Sequence, residues 1–202
     1  MNSEQGVCDI RPLYSRIDEL LLQKKSIAIA IDGNSASGKS SLAALLKPDY
    51  SCNVIHMDDF FLRPSQRTPA RLKEPGGNID YERFGKEVIR PLKAGEMFSY
   101  RPYNCRTMEL SEPVIVNPNR INVIEGVYSL HPHFIEAYDI KVFLSLDETV
   151  QRRRLSERNA EIYERFVNEW IPMETGYFEF FRISEKCDFI FDTSLKTGVA
   201  LL

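Results

Sequence analysis

Residues 33–41 read GNSASGKSS, and Gly33, Gly38, Lys39 and Ser40 satisfy G-x-x-x-x-G-K-[ST] in full. Small residues let a turn curl until successive N–H groups converge on phosphate oxygens. A helix starting directly after it adds unpaired donors and a partial positive charge. Lys39 has the reach for β- and γ-phosphates, and the Ser40 hydroxyl can ligate Mg²⁺. Gly33, Asn34, Ser35, Ala36, Ser37, Gly38, Lys39, Ser40 and Ser41 are therefore expected to hold a nucleoside triphosphate. The bland alternative is a chance glycine-rich turn, but an apolar run, this loop and a second apolar run occur in the order a phosphate loop needs.

Three groups of charged residues could act on that triphosphate. HMDDFF puts Asp58 and Asp59 at the end of an apolar run, where either carboxylate could take a proton from an attacking hydroxyl. Both could equally open a turn. INVIEG puts Glu125 at another such end, suited to Mg²⁺ or simply to solvent. QRRRLSERN carries Arg152, Arg153, Arg154 and Arg158, and the last two share a helix face, an arrangement that an anion would relieve. Glu148, Glu157 and Glu161 lie close enough to make the same stretch a solvated, salt-bridged helix instead.

Triphosphate binding leaves a small-molecule kinase, a GTPase-type switch and a motor-like ATPase in competition. The switch lacks N-K-x-D and D-x-x-G anywhere in the chain. The ATPase has one candidate for its strand-end acids, Asp147 and Glu148 in VFLSLDE, which read better as the cap and first turn of a helix. HPH at 131–133 has too few partners for a metal site, and GYFEFF at 176–181 suits a core or a pocket wall.

The elements that must carry these groups follow from periodicity. Apolar residues at 10, 13, 14, 17, 20 and 21 predict a helix over 10–24 with Asp9 as its N-cap. SIAIAI, CNVIHM, INVIEG, IKVFLSL and FIF predict buried parallel strands. SLAALLK predicts a helix closed by Pro48. DDFFLRPSQRTPARLKEPGG is long for a loop, as binding segments are. A helix is expected over 81–94, interrupted at Pro91 and stopped at Gly95, and a hairpin from 97–103 and 113–116. Charged helical sequence from 147 to 170 suits a lid over 151–170, with an aromatic helix over 174–186. Strand and helix alternating in this way predict a three-layer α/β fold, a central parallel sheet of about five strands in one domain over 1–202.

The 202 residues carry a net charge of −3, with 27% charged and 43% hydrophobic residues. That balance suits a soluble domain and offers no basic face for nucleic acid. Cys8, Cys52, Cys105 and Cys187 are scattered without a C-x-x-C pair, so reduced thiols are expected. A start without a basic-then-apolar segment, and no apolar run near the ~20 residues of a membrane span, predict a cytoplasmic protein. The expected partner is a small hydroxyl-bearing molecule, not nucleic acid or membrane, with homo-oligomerisation open.

In this order, the phosphate loop, HMDDFF, GGNIDYERF, RPYNCR, VIEGVY and RRRLSERN resemble the uridine kinase and phosphoribulokinase family of P-loop kinases, from about residue 27 to 193. The resemblance implies the P-loop NTPase fold with a short helical lid, ATP as donor and Mg²⁺ as cofactor. The acceptor it implies is the 5′-hydroxyl of uridine or cytidine; nicotinamide riboside, pantothenate, a sugar or glycerate, or plain ATP hydrolysis, stay open. Asp58 matches the acid that deprotonates the acceptor and lies near Mg²⁺, and Glu125 matches a strand-end acid at the metal. Asp80 matches an acid that grips ribose, and Phe61 and Tyr103 match pocket-wall aromatics, although uridine kinases usually carry tyrosine at the position of Phe61. Arg154 and Arg158 match lid arginines that close over the phosphates. The loop at 192–198 would lie by the adenine.

Overall fold

The computed structural model describes residues 9–158 and 160–194; Cys8 and most of the loop expected beside adenine lie outside them. In chain order the strands are β1 (Ile27–Gly33), β2 (Asn53–His56), β3 (Phe98–Tyr100), β4 (Tyr103–Asn104), β5 (Glu109–Leu110), β6 (Val114–Val116), β7 (Ile121–Glu125), β8 (Ile140–Ser145) and β9 (Phe189–Asp192). The α-helices are α1 (Arg11–Gln23), α2 (Lys39–Tyr50), α3 (Pro69–Lys73), α4 (Tyr81–Phe84), α5 (Arg90–Ala94), α6 (Glu148–Arg158), α7 (Tyr163–Arg165) and α8 (Ile171–Phe181). Five strands make one all-parallel sheet in the order β2-β7-β1-β8-β9. The expected five-stranded, three-layer α/β P-loop fold is the one observed.

β1 shows why the layers form. All seven of its residues are buried, and successive side chains alternate between faces. Ile27, Ile29 and Ile31 meet Leu13 and Ile17 of α1 and Leu42 and Leu46 of α2. On the other face Ala28 and Ala30 leave room for Phe60, Phe84, Phe134 and Tyr177. Small residues on one face and branched ones on the other thus give each helical layer its own core. At the end of β1, Gly33 has φ 133°, and a Cβ there would collide with the Leu144 carbonyl. Only glycine lets the phosphate loop leave the sheet this close to β8.

Several boundaries differ from expectation. The α2 helix runs two residues past Pro48 and ends at Ser51, whose φ is 50°. A proline this near the C-terminus removes a single i→i−4 bond, so the helix does not stop there. Asp9 accepts from the Arg11 amide at 3.0 Å, but Ile10 holds the cap position, so Asp9 flanks the helix start. Tyr81 to Ala94 runs on through a π turn at Gly85–Ile89, which accommodates Pro91 without a break, and Gly95 ends it in the left-handed region. The 147–170 stretch is broken after α6 into short turns, with a second π turn at Phe166–Trp170 leading into α8. α8 therefore begins at Ile171 and ends at Phe181, earlier than the aromatic spacing suggested.

The expected hairpin is present as β3 paired antiparallel with β6, and a second small pair joins β4 to β5. The long segment after β2 is folded onto the body. Arg71 donates to the carbonyls of Gly77 and Ile79 at 3.0 Å, grips Glu82 at 2.7 Å with both terminal nitrogens, and stacks on Tyr81. Cys52, Cys105 and Cys187 are free thiols, and no described helix is long and apolar enough to cross a membrane.

Candidate active site

A cleft of about 1160 Å³ lies along the C-terminal ends of β1, β2 and β7. This is where parallel α/β sheets bind ligands, because the loops diverge there and helix N-termini converge. From the phosphate loop it is lined by Ser35, Ala36, Gly38, Lys39, Ser40 and Ser41. Gly33, Asn34 and Ser37 form the back of the loop: Asn34 accepts from the Leu146 amide at 3.2 Å, and Ser37 is buried. Gly38, at φ 97°, turns the chain into α2. Lys39 Nζ donates to the Gly33 carbonyl at 2.9 Å and the Asn34 carbonyl at 2.8 Å, which places its charge across the mouth of the loop.

β2 and β7 pair in register so that His56 stands beside Glu125. The Glu125 carboxylate accepts from Ser40 Oγ at 3.0 Å and lies 2.6 Å from His56 Nδ1. Burial pushes Glu125 up, but the hydrogen bond and charge of His56, with help from Ser40 and Lys39, hold it below its ordinary value. The same hydrogen bond raises His56. Glu125 is thus kept ionised beside the Ser40 hydroxyl, two hard oxygen ligands in contact.

Asp58 lines the same cleft, and Asp59 does not. The Asp58 carboxylate is exposed to the cleft, yet the protein crowding round it displaces water and raises its pKa; Lys39 pulls the other way. Asp59 accepts from Tyr100 Oη at 3.1 Å, and its backbone carbonyl accepts from Arg83 at 2.7 Å. The tight 3₁₀ turn at Met57–Phe60 sends the adjacent carboxylates in different directions.

Phe61, Tyr103 and Arg158 also reach the cleft. Arg154 reaches it with a guanidinium tied to the Ala36 carbonyl at 3.2 Å and the Thr193 carbonyl at 2.7 Å. Arg152 and Arg153 pair outward with Glu148 and Glu157, so one helix serves both readings of its arginines. Asp80 is not brought to the cleft. It is 3% exposed, caps α4 by accepting from the Arg83 amide at 3.0 Å, and accepts from Gln66 at 2.7 Å. Its geometry is that of a helix cap, and a ribose-gripping role does not follow from it.

Asp147 accepts from the amides of Thr149 and Val150 at 2.9 and 3.2 Å, the cap of α6. Asp147→Ala is therefore expected to cost about 1 kcal/mol of stability by thermal melting. Nucleotide turnover should stay within about twofold of the parent, as for a surface change away from a site; a large loss would restore the ATPase reading.

Sequence reasoning passed over three side chains that build this site. Asp32, buried at the end of β1, accepts from the amides of Gly33, Tyr128 and Leu130 and from Tyr177 Oη at 2.7 to 3.1 Å. Burial drives its pKa up to about 6 against those bonds. An acid inside an otherwise apolar strand was the available signal. Glu174, on α8, accepts from the amide and hydroxyl of Ser35, and Gln151, on α6, donates to the Ser35 carbonyl at 3.2 Å. Neither carries a local sequence signal, since each partner lies more than a hundred residues away.

No family model matches the chain. A phosphoribulokinase of Synechocystis is 30% identical over 169 residues, which take in 76% of this chain and 50% of that protein, so the chain spans half of that relative. A protein of Schizosaccharomyces pombe named "Putative uridine kinase" is 30% identical over 173 residues, covering 73% of this chain and 72% of that one. Among solved structures, one described as a possible uridine kinase from Bacillus stearothermophilus superposes with a TM-score of 0.65 at 25% identity, covering 90% of this chain and 100% of that chain. A phosphate loop at the end of β1, acids at the ends of β2 and β7, and these relatives agree: the chain belongs to the phosphoribulokinase and uridine kinase family of P-loop kinases.

Proposed function

We propose that this chain transfers the γ-phosphate of ATP to the hydroxyl of a small molecule, with the 5′-hydroxyl of uridine or cytidine as the leading acceptor. The observation that carries the reading is that Asp58, Lys39, Ser40 and Glu125 line one cleft. Lys39 and the loop amides bind and orient the phosphates. Asp58 aligns the acceptor hydroxyl and takes its proton, and its raised pKa makes it a stronger base than an ordinary aspartate. Arg154 and Arg158 face charge that develops on the transferred group. Phe61 and Tyr103 wall the acceptor and exclude water that would otherwise compete as nucleophile.

The donors at the loop fit Mg²⁺. Ser40, Glu125 and Asp58 supply hard oxygens, while no cluster of three or more His, Cys, Asp or Glu among the described residues makes a closed cage. Magnesium takes one or two protein oxygens and leaves the rest to phosphates and water, which is what such an open set allows. When bound it screens the phosphate charge against the incoming nucleophile.

A second acceptor class has its own support. Arg67, Arg158 and Arg165 line the cleft; Arg165 pairs with Glu169 at 3.0 Å, whereas Arg67 has no carboxylate within 4.0 Å among the described residues. An unpaired Arg67 favours an acceptor with its own phosphate or carboxylate, the first of which the name of the Synechocystis relative implies for that protein. The test is a panel of ATP or GTP with uridine, cytidine, nicotinamide riboside, pantothenate, glycerate, sugars and sugar phosphates, scoring phosphorylated product and background hydrolysis separately. Uridine or cytidine turned over best supports the leading reading, and a preference for anionic acceptors replaces it with the second. Hydrolysis that no acceptor stimulates would sink both.

A further inference from the structure

The tip of the phosphate loop is held from outside the loop. Glu174 takes the Ser35 amide at 3.0 Å with one oxygen and the Ser35 hydroxyl with the other. Gln151 donates to the Ser35 carbonyl at 3.2 Å and Arg154 to the Ala36 carbonyl at 3.2 Å. The peptide units on both sides of Ser35 are thus fixed by side chains from α6 and α8, and Ala36 is kept left-handed at φ 63°. A side chain other than glycine adopts that conformation only when its surroundings impose it.

Glu174 is a costly residue to place here. It is 4% exposed, lines the cleft, and puts a carboxylate at a site built to receive phosphate. Left to electrostatics alone, such a charge repels the nucleotide, and its removal would tighten binding. Its two bonds to a single residue of the loop argue for the opposite net effect. We propose that Glu174 is a positioning residue that fixes the tip of the phosphate loop through Ser35, and so presets the loop for the nucleotide and ties it to the helices that flank residues 160–170. This rests on the loop's binding a nucleotide, but not on the identity of the acceptor.

The two accounts predict opposite signs, so ATP affinity can be read by calorimetry without an acceptor. Glu174→Gln keeps shape and removes charge and one acceptor oxygen; it is expected to weaken ATP binding about tenfold, and Ser35→Ala to weaken it less. The double variant should bind like Glu174→Gln, because the Ser35 hydroxyl acts through Glu174 alone. Unchanged or tighter binding by Glu174→Gln, or losses that add in the double variant, would overturn the proposal. Should Glu174→Gln fail to fold, Glu174→Asp and Ser35→Ala decide: both are expected to bind ATP more weakly, and wild-type affinity in both would overturn it. A parent chain that binds no nucleotide would overturn the kinase reading and this one together, whereas tight parental binding with additive losses removes this one alone.

Discussion

Lys39→Ala is expected to lower phosphoryl transfer on the order of 10³-fold or more while leaving the fold intact. Lys39 supplies the only formal positive charge within residues 33–41, and the neighbouring amides contribute dipoles alone. Its side chain reaches the two carbonyls at the start of the loop, which holds the ammonium where the proposed function puts the transferred group. Lys39→Arg is not expected to rescue it, because the position is 8% exposed and a planar guanidinium does not fit a site shaped for a compact ammonium. ADP release with acceptor present measures the effect, and an unchanged melting curve separates it from unfolding. Retained turnover would take the loop out of the mechanism.

Asp58→Asn is expected to cut kcat by about 10² to 10⁴-fold, the range a positioned general base supplies. Nucleotide affinity should fall far less than turnover, since Ser40 and Glu125 remain to hold the metal and no hydrogen bond joins Asp58 to the phosphate loop among the described residues. The neighbour provides the control. Asp59→Asn weakens the bond to Tyr100 and should lower stability more than turnover. If Asp59→Asn stops the reaction and Asp58→Asn spares it, the two acids have been assigned in the wrong order.

How far these groups could be read from the chain depended on how local their causes are. The phosphate loop, β1 and α2 follow from a contiguous pattern, and β2 and β7 follow from short apolar runs that end in acids. The choice between Asp58 and Asp59 needed the turn at Met57–Phe60, because spacing alone gives adjacent carboxylates equal claims. Asp80 matches a substrate ligand by family resemblance, but what its own surroundings show is a helix cap held by Gln66 and the Arg83 amide. Pro48 looked like a helix stop, but the lost bond falls where the helix was about to end. Glu174 was beyond reach, since an acid among aromatics gives no hint that Ser35 lies against it.

The excursion from Met57 to Val116 supplies Asp58, Phe61, Tyr103 and Arg67 to the cleft, yet adds no strand to the five-stranded sheet. The phosphate loop and its neighbours come from β1, α2 and the end of β7, and its outer bracing from α6 and α8. On the proposed function, most of the acceptor's wall and most of the donor's grip would thus come from separate stretches of chain. Changes in the excursion would then retune acceptor preference while sparing the donor apparatus, a route to new metabolites by exchanging a single insert.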